Sequence, residues 1–162
     1  MNLSKATNYA DFLERYKGDV SFLSDCYERA SKYISELRWI TGVENVYVGL
    51  HFDGMFCVFL FETSLNVDKK FPDDEFIWIV VGDLPIAYIT SEVSPNPACA
   101  LDSYVGAMFE WVEAVETGAS VSDLIPVNVP PTTEYAAMLR TRLELINDLV
   151  LSQDKFKKDL SC

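Results

Sequence analysis

Val46-Tyr-Val-Gly-Leu-His-Phe-Asp-Gly-Met-Phe-Cys-Val-Phe-Leu-Phe-Glu62 consists of two apolar runs joined by Asp53-Gly54. In the first run Val46, Val48, Leu50 and Phe52 alternate with Tyr47, Gly49 and His51. That alternation predicts a strand with one buried face. Asp-Gly between two such runs is a hairpin signal, because both residues tolerate the backbone of a tight turn. The returning run, Met55 to Glu62, is apolar at nearly every position. A strand of that kind is covered on both faces. Downstream, Phe76-Ile-Trp-Ile-Val-Val81 has the same character, Gly82-Asp-Leu-Pro85 makes another tight turn, and Ile86 to Ser91 supplies a further strand. The strands are expected near residues 45–53, 55–63, 76–82 and 86–91. Their short turns demand antiparallel pairing.

Upstream the period changes to that of a helix. Residues 8–17 form a short amphipathic segment closed by Gly18. Asp19 then caps a longer helix running to about Thr41, with Val20, Leu23, Tyr27, Ala30, Ile34 and Leu37 on its apolar side and Gly42 as its terminator. Beyond the strands, Asn96 caps a helix with Pro97 in its first turn, and Gly118 ends it. Thr132 or Thr133 starts a last helix, with Tyr135, Leu139, Leu143, Ile146 and Val150 as its stripe. Helices gathered on either side of a run of strands indicate an α+β fold. The expected architecture is a four-stranded antiparallel sheet with two N-terminal and two C-terminal helices packed on it. One domain spans 1–151, followed by a polar tail at 152–162.

The chain has 162 residues, of which 49% are hydrophobic and 13% aromatic, enough for one substantial core and too many for disorder. The longest apolar run, around Ile77 to Val81, is far too short to span a bilayer. The N-terminus MNLSKATNYADF has no apolar signal core. A cytoplasmic protein is expected. Cys26, Cys57, Cys99 and Cys162 are widely spaced and contain no C-x-x-C pair, so neither a zinc site nor a disulfide framework is anticipated.

Charge is the strongest functional signal. Between Glu44 and Glu134 lie 15 acids and only two bases, Lys69 and Lys70, a net charge of −13. The whole chain carries −12, so the flanks are close to neutral. A field of this sign repels nucleic acid and steers cationic partners. Glu110, Glu113 and Glu116 stand one turn apart on the helix after Pro97, and they oppose its dipole at the C-terminal end. A locally unfavourable arrangement of that kind points outward, to a partner. Asp73, Asp74 and Glu75 form the tightest acidic cluster, but without the glycine and alternate spacing of a calcium loop. Asp83 occupies the tip of the Gly-Asp-Leu-Pro turn and is a further contact candidate.

Catalytic motifs are absent from the sequence. His51 is the single histidine and has no recognisable triad around it. No glycine-rich phosphate loop occurs, and no metal or cofactor is implied.

Phe76-Ile-Trp-Ile-Val-Val-Gly-Asp-Leu-Pro-Ile-Ala-Tyr88, with the later Phe109-Glu-Trp-Val-Glu113, resembles a group of small bacterial proteins that share a W-V-V-x-G-D-L-P hairpin and a downstream helix. The resemblance covers about residues 76–117 and implies a bacterial cytosolic origin without an activity. By size, acidity and lack of catalytic groups, the chain is also similar to immunity proteins that neutralise antibacterial toxins, including those of contact-dependent inhibition systems. That likeness implies a cytosolic inhibitor of a basic, nuclease-type toxin. The alternative is a housekeeping or regulatory domain, with room for self-association into a homo-oligomer, whose acidity serves solubility. An enzyme built from scattered residues ranks third.

Overall fold

The computed structural model describes residues 5–65 and 75–160. In chain order the elements are β1 (Thr7–Asn8), α1 (Tyr9–Arg15), α2 (Val20–Ser35), β2 (Ile40–Phe52), β3 (Phe56–Leu65), β4 (Phe76–Gly82), β5 (Leu84–Thr90), α3 (Pro97–Thr117), α4 (Thr133–Ile146), a π-helical turn (Asn147–Leu151) and α5 (Asp154–Lys157). The strands form one sheet in the order β1-β2-β3-β4-β5, with every neighbouring pair antiparallel. The fold is therefore α+β with an antiparallel meander, as the alternation and the two tight turns predict.

Residue alternation divides the core in two. On β3, Phe56, Val58 and Leu60 face the α3 side, while Cys57, Phe59 and Phe61 face α2. On β4, Trp78 and Val80 join the first set and Ile77, Ile79 and Val81 the second. A strand apolar at every position thus has a helix over each face. Leu23, Cys26, Ala30 and Ile34 are the buried side of α2. On α3, Leu101, Tyr104, Met108 and Val112 cover the opposite face.

Three expectations need correction. The sheet has five strands rather than four, because Thr7 pairs with Val48 and Asn8 with Tyr47. A two-residue strand has no periodicity to read, and Asn8 at once becomes the N-cap of α1. The helices also do not all lie on the sheet. Each sheet face has one long helix, α2 or α3; α4 packs on α3 as an outer layer, and α1 has no buried residue. Finally, α2 stops at Ser35 rather than near Thr41, and Gly42 lies within β2 rather than closing a helix. Ile40, Thr41 and Val43 are β-branched and favour the strand, and the Thr41 hydroxyl donates to the Ser64 carbonyl at 2.9 Å.

A bulge between Val48 and Leu50 changes the side assignment of β2. Val48 belongs to the α2-side core and Leu50 packs against the α3-side core, so the two do not share a face. Gly49 sits at the irregularity. A Cβ there would lie 2.7 Å from Pro97 Cβ and 2.8 Å from Trp78 Cζ3.

The predicted caps form. Asp19 accepts from Phe22 N at 3.0 Å, Asn96 from Ala98 N and Cys99 N at 2.9 and 3.0 Å, and Thr132 from Tyr135 N at 3.4 Å. Gly118 closes α3 in the left-handed conformation at φ 72°. The Asn96 amide also donates to the Asp159 carbonyl at 2.9 Å, and Phe156 and Leu160 pack against the α3-side core. Cys26 and Cys57 are free and buried. Cys99 is disulfide-bonded, which the cysteine spacing does not reveal.

Candidate functional site

The turn between β4 and β5 anchors the most elaborate surface of the molecule. Gly82 has φ 151°, and a Cβ there would lie 2.2 Å from the Met55 carbonyl oxygen, so only glycine fits. Asp83 N donates to that same carbonyl at 2.9 Å. Three helices then converge on the turn. From α2, Arg29 Nη2 donates to the Gly82 carbonyl at 3.0 Å. From α3, Tyr104 donates its hydroxyl proton to the Pro85 carbonyl at 2.6 Å. From α4, Arg142 Nε donates to Asp83 Oδ2 at 2.8 Å. Burial pushes the Tyr104 phenol above its ordinary range, so it remains a donor. Beside the turn lies a cavity of about 320 Å³, lined among others by Leu84, Trp111, Val129, Tyr135, Met138 and Arg142.

Glu110, Glu113 and Glu116 are all exposed on the last turns of α3. Glu116 accepts two bonds from Arg140 of α4, from Nε at 3.0 Å and Nη2 at 2.7 Å. That forked contact holds the Glu116 carboxyl below the usual glutamate range and raises Arg140. Arg140 also lies over the Phe109 ring, 5.8 Å from its centroid. Asp83 and Glu116 therefore have intramolecular base partners, and Glu110 and Glu113 project from the exposed side of α3. Glu75 is exposed just before β4, and its carbonyl accepts from Thr63 N at 2.7 Å. Asp73 and Asp74 lie outside the described residues.

His51 is exposed on β2, edge-on to Phe12 and Tyr16 of the α1 region at 5.1 and 5.0 Å. The Tyr16 hydroxyl donates to the Asp53 carboxylate. Burial, followed by that acceptor, raises the Tyr16 phenol well above its ordinary value. A second groove of about 650 Å³ lies between α2 and the start of β2, with Tyr27, Ser31, Glu44 and Asn45 in its lining. The Ser31 hydroxyl is buried there without a hydrogen-bond partner. Among the described residues, no three His, Cys, Asp or Glu side chains are grouped to hold a metal ion. No helix among them is long and apolar enough to cross a membrane.

No family model, curated protein or solved structure matches this chain. The chemistry of the surface rests on its own residues. What it offers is exposed carboxylates on the last turns of α3 and, at the β4–β5 turn, a cavity with Arg29, Asp83 and Arg142 among its lining residues.

The sequence brings Asp83 to its turn and the three glutamates to one helix face. It gives no sign of the α4 bases that meet Asp83 and Glu116, because Arg140 and Arg142 are 24 and 59 residues from their acids. Nor does it reveal the outer surface of α4. Tyr135, expected in the buried stripe, is 42% exposed, and Met138, Leu145 and Leu149 are 45–52% exposed. The sequence carries a signal for it: these residues recur at steps of three, seven and four, offset from Leu139, Leu143 and Ile146.

Proposed function

We propose that this protein is an acidic binding protein that neutralises a basic partner, most concretely a cytosolic immunity protein directed at a nuclease-type toxin. The observation that carries the reading is the net −13 of residues 44–134, with Glu110 and Glu113 exposed at the end of α3. A nuclease site is basic because it holds phosphates, so an acidic inhibitor can occupy it or dock beside it. Steering of this kind lifts association to roughly 10⁸–10⁹ M⁻¹s⁻¹ at low salt.

The test is to titrate basic nuclease toxin domains against wild type and a Glu110→Gln/Glu113→Gln variant at two salt concentrations. Glu116 is left in place because its removal would also free Arg140. A slower, less salt-sensitive association by the variant supports the reading. Unchanged association rate and affinity would remove this face from the interface. A second reading, a homo-oligomeric regulatory domain, draws on the exposed apolar residues of α4. Sedimentation of the isolated chain as a monomer at micromolar concentration argues against it.

A further inference from the structure

Resting on the reading of a basic partner, we infer that the open edge of β2 beside α2 is a strand-docking site, and that its occupant is an extended segment of that partner carrying a lysine or arginine.

β2 is left half-covered on its outer side. It runs from Ile40 to Phe52, but β1 pairs with it only at Val48 and Tyr47. Asn8 then caps α1, and the chain leaves the sheet at Tyr9. Ile40 N donates to the Leu37 carbonyl. Among the described residues no other strand lies outside β2, so residues 41–46 continue the track that β1 begins with their outer backbone edge open. Such an edge is matched by an extended backbone, which presents donors and acceptors at the same spacing.

The groove beside that edge points the same way. About 650 Å³ lies between the edge and α2. The Ser31 hydroxyl is buried in its wall without a hydrogen-bond partner, a state that costs stability until a bound group supplies one. Ile34, Val43 and Val46 give the side chains of an incoming strand an apolar seat.

Charge and irregularity select the occupant. Among the described residues lining the groove, Glu44 has the only acidic or basic side chain of the Asp, Glu, Lys and Arg kinds. It is exposed and accepts from the Ser64 hydroxyl at 2.7 Å, a neutral donor. β2 is also irregular between Ile40 and Gly42 and again between Val43 and Asn45. Bulges and an edge charge are devices that keep sheet edges from pairing indiscriminately. They disfavour neutral and acidic strands and favour one whose base meets Glu44. A second copy fits poorly. Paired antiparallel over the whole of 41–46, it would set its Ile40 opposite Tyr47, the position Asn8 holds.

The probe is a labelled, capped peptide of eight residues that alternates Val and Thr around one central Lys. A second peptide replaces Lys by Glu, and a third keeps Lys but is methylated at every backbone nitrogen. Anisotropy gives the affinities, and amide exchange followed by NMR reports which backbone becomes protected. Wild type should bind the Lys peptide at least about tenfold more tightly than either control, with exchange slowed within residues 41–46. Glu44→Gln should lose most of the preference for Lys over Glu, whereas Ser31→Ala should weaken both peptides alike. No binding to wild type, equal binding of the methylated peptide, protection confined to other residues, or an unaltered preference in Glu44→Gln overturns the inference. So does a wild-type dimer with residues 41–46 already protected, which would give the edge to a second copy. A toxin domain that responds to Glu110→Gln/Glu113→Gln but leaves exchange at 41–46 unchanged would preserve the basic-partner reading while removing this edge from it.

Discussion

Trp78 is 1% exposed between the sheet and α3, and its indole N–H donates to the buried Ser94 carbonyl at 2.8 Å. Trp78→Ala should cost about 3–5 kcal/mol in a denaturant melt, from lost transfer and a residual cavity. Trp78→Phe should cost less, about 1–3 kcal/mol, because the ring is largely replaced but the Ser94 carbonyl loses its donor. A loss below about 1 kcal/mol for the alanine variant would mean that the site collapses around it. At Gly82 the backbone at φ 151° and the Met55 carbonyl 2.2 Å from a Cβ act together. Gly82→Ala should cost at least about 1–3 kcal/mol for the backbone alone. Glu116 gives a pH-dependent readout. Arg140 depresses its folded pKa, so its contribution is fully present above the unfolded glutamate value and disappears as pH falls through the lower, folded value. Arg140→Gln should raise the Glu116 titration, followed by side-chain NMR, back toward the ordinary range. No upward movement would mean that the forked contact does not persist in solution.

α4 shows what can be read from an element and what cannot. Leu143 is fully buried and Leu145 is 45% exposed, two residues apart on one helix. Leu143→Ala should cost about 2–5 kcal/mol, and Leu145→Ala should stay within about 0.5 kcal/mol. Equal losses would place both residues in the core. Such contrasts are legible where periodicity runs long enough, as in α2, α3, β3 and β4. They fail where an element is too short or irregular. β1 is two residues, and the bulge at Gly49 moves Leu50 to the other face without altering the alternating pattern that suggests a regular strand. The end of α2 escapes a periodic reading because Leu37 continues the helical spacing, although Ile40 onward favours a strand. At the surface, the positions of Glu110 and Glu113 follow from helix spacing alone. The pairing of Glu116 with Arg140 does not, because it needs α4 to lie on α3. That packing is a tertiary choice that no local pattern encodes.

Over the whole molecule the net charge of −12 acts on folding and on binding with opposite signs. Within the folded chain the excess carboxylates repel one another, while the exposed ion pairs Arg140–Glu116, Arg142–Asp83 and Arg29–Asp25 attract. Exposed pairs are worth only about 0–1 kcal/mol each, and among the described residues they take up Asp25, Asp83, Glu116, Glu144 and Asp159, a small part of the chain's 25 acids. Repulsion should therefore dominate. Raising ionic strength from about 0.01 to 0.15 M shortens the screening length from roughly 30 to 8 Å, so the melting temperature of the isolated protein should rise over that range. Association with a cationic partner should slow over the same range, because the field that destabilises the free chain is the field that steers the partner. The two measurements belong in one salt series, thermal melts beside stopped-flow association. A melting temperature that falls with salt would show that the ion pairs outweigh the repulsion. An association rate indifferent to salt would separate the acidity from recognition and return it to solubility.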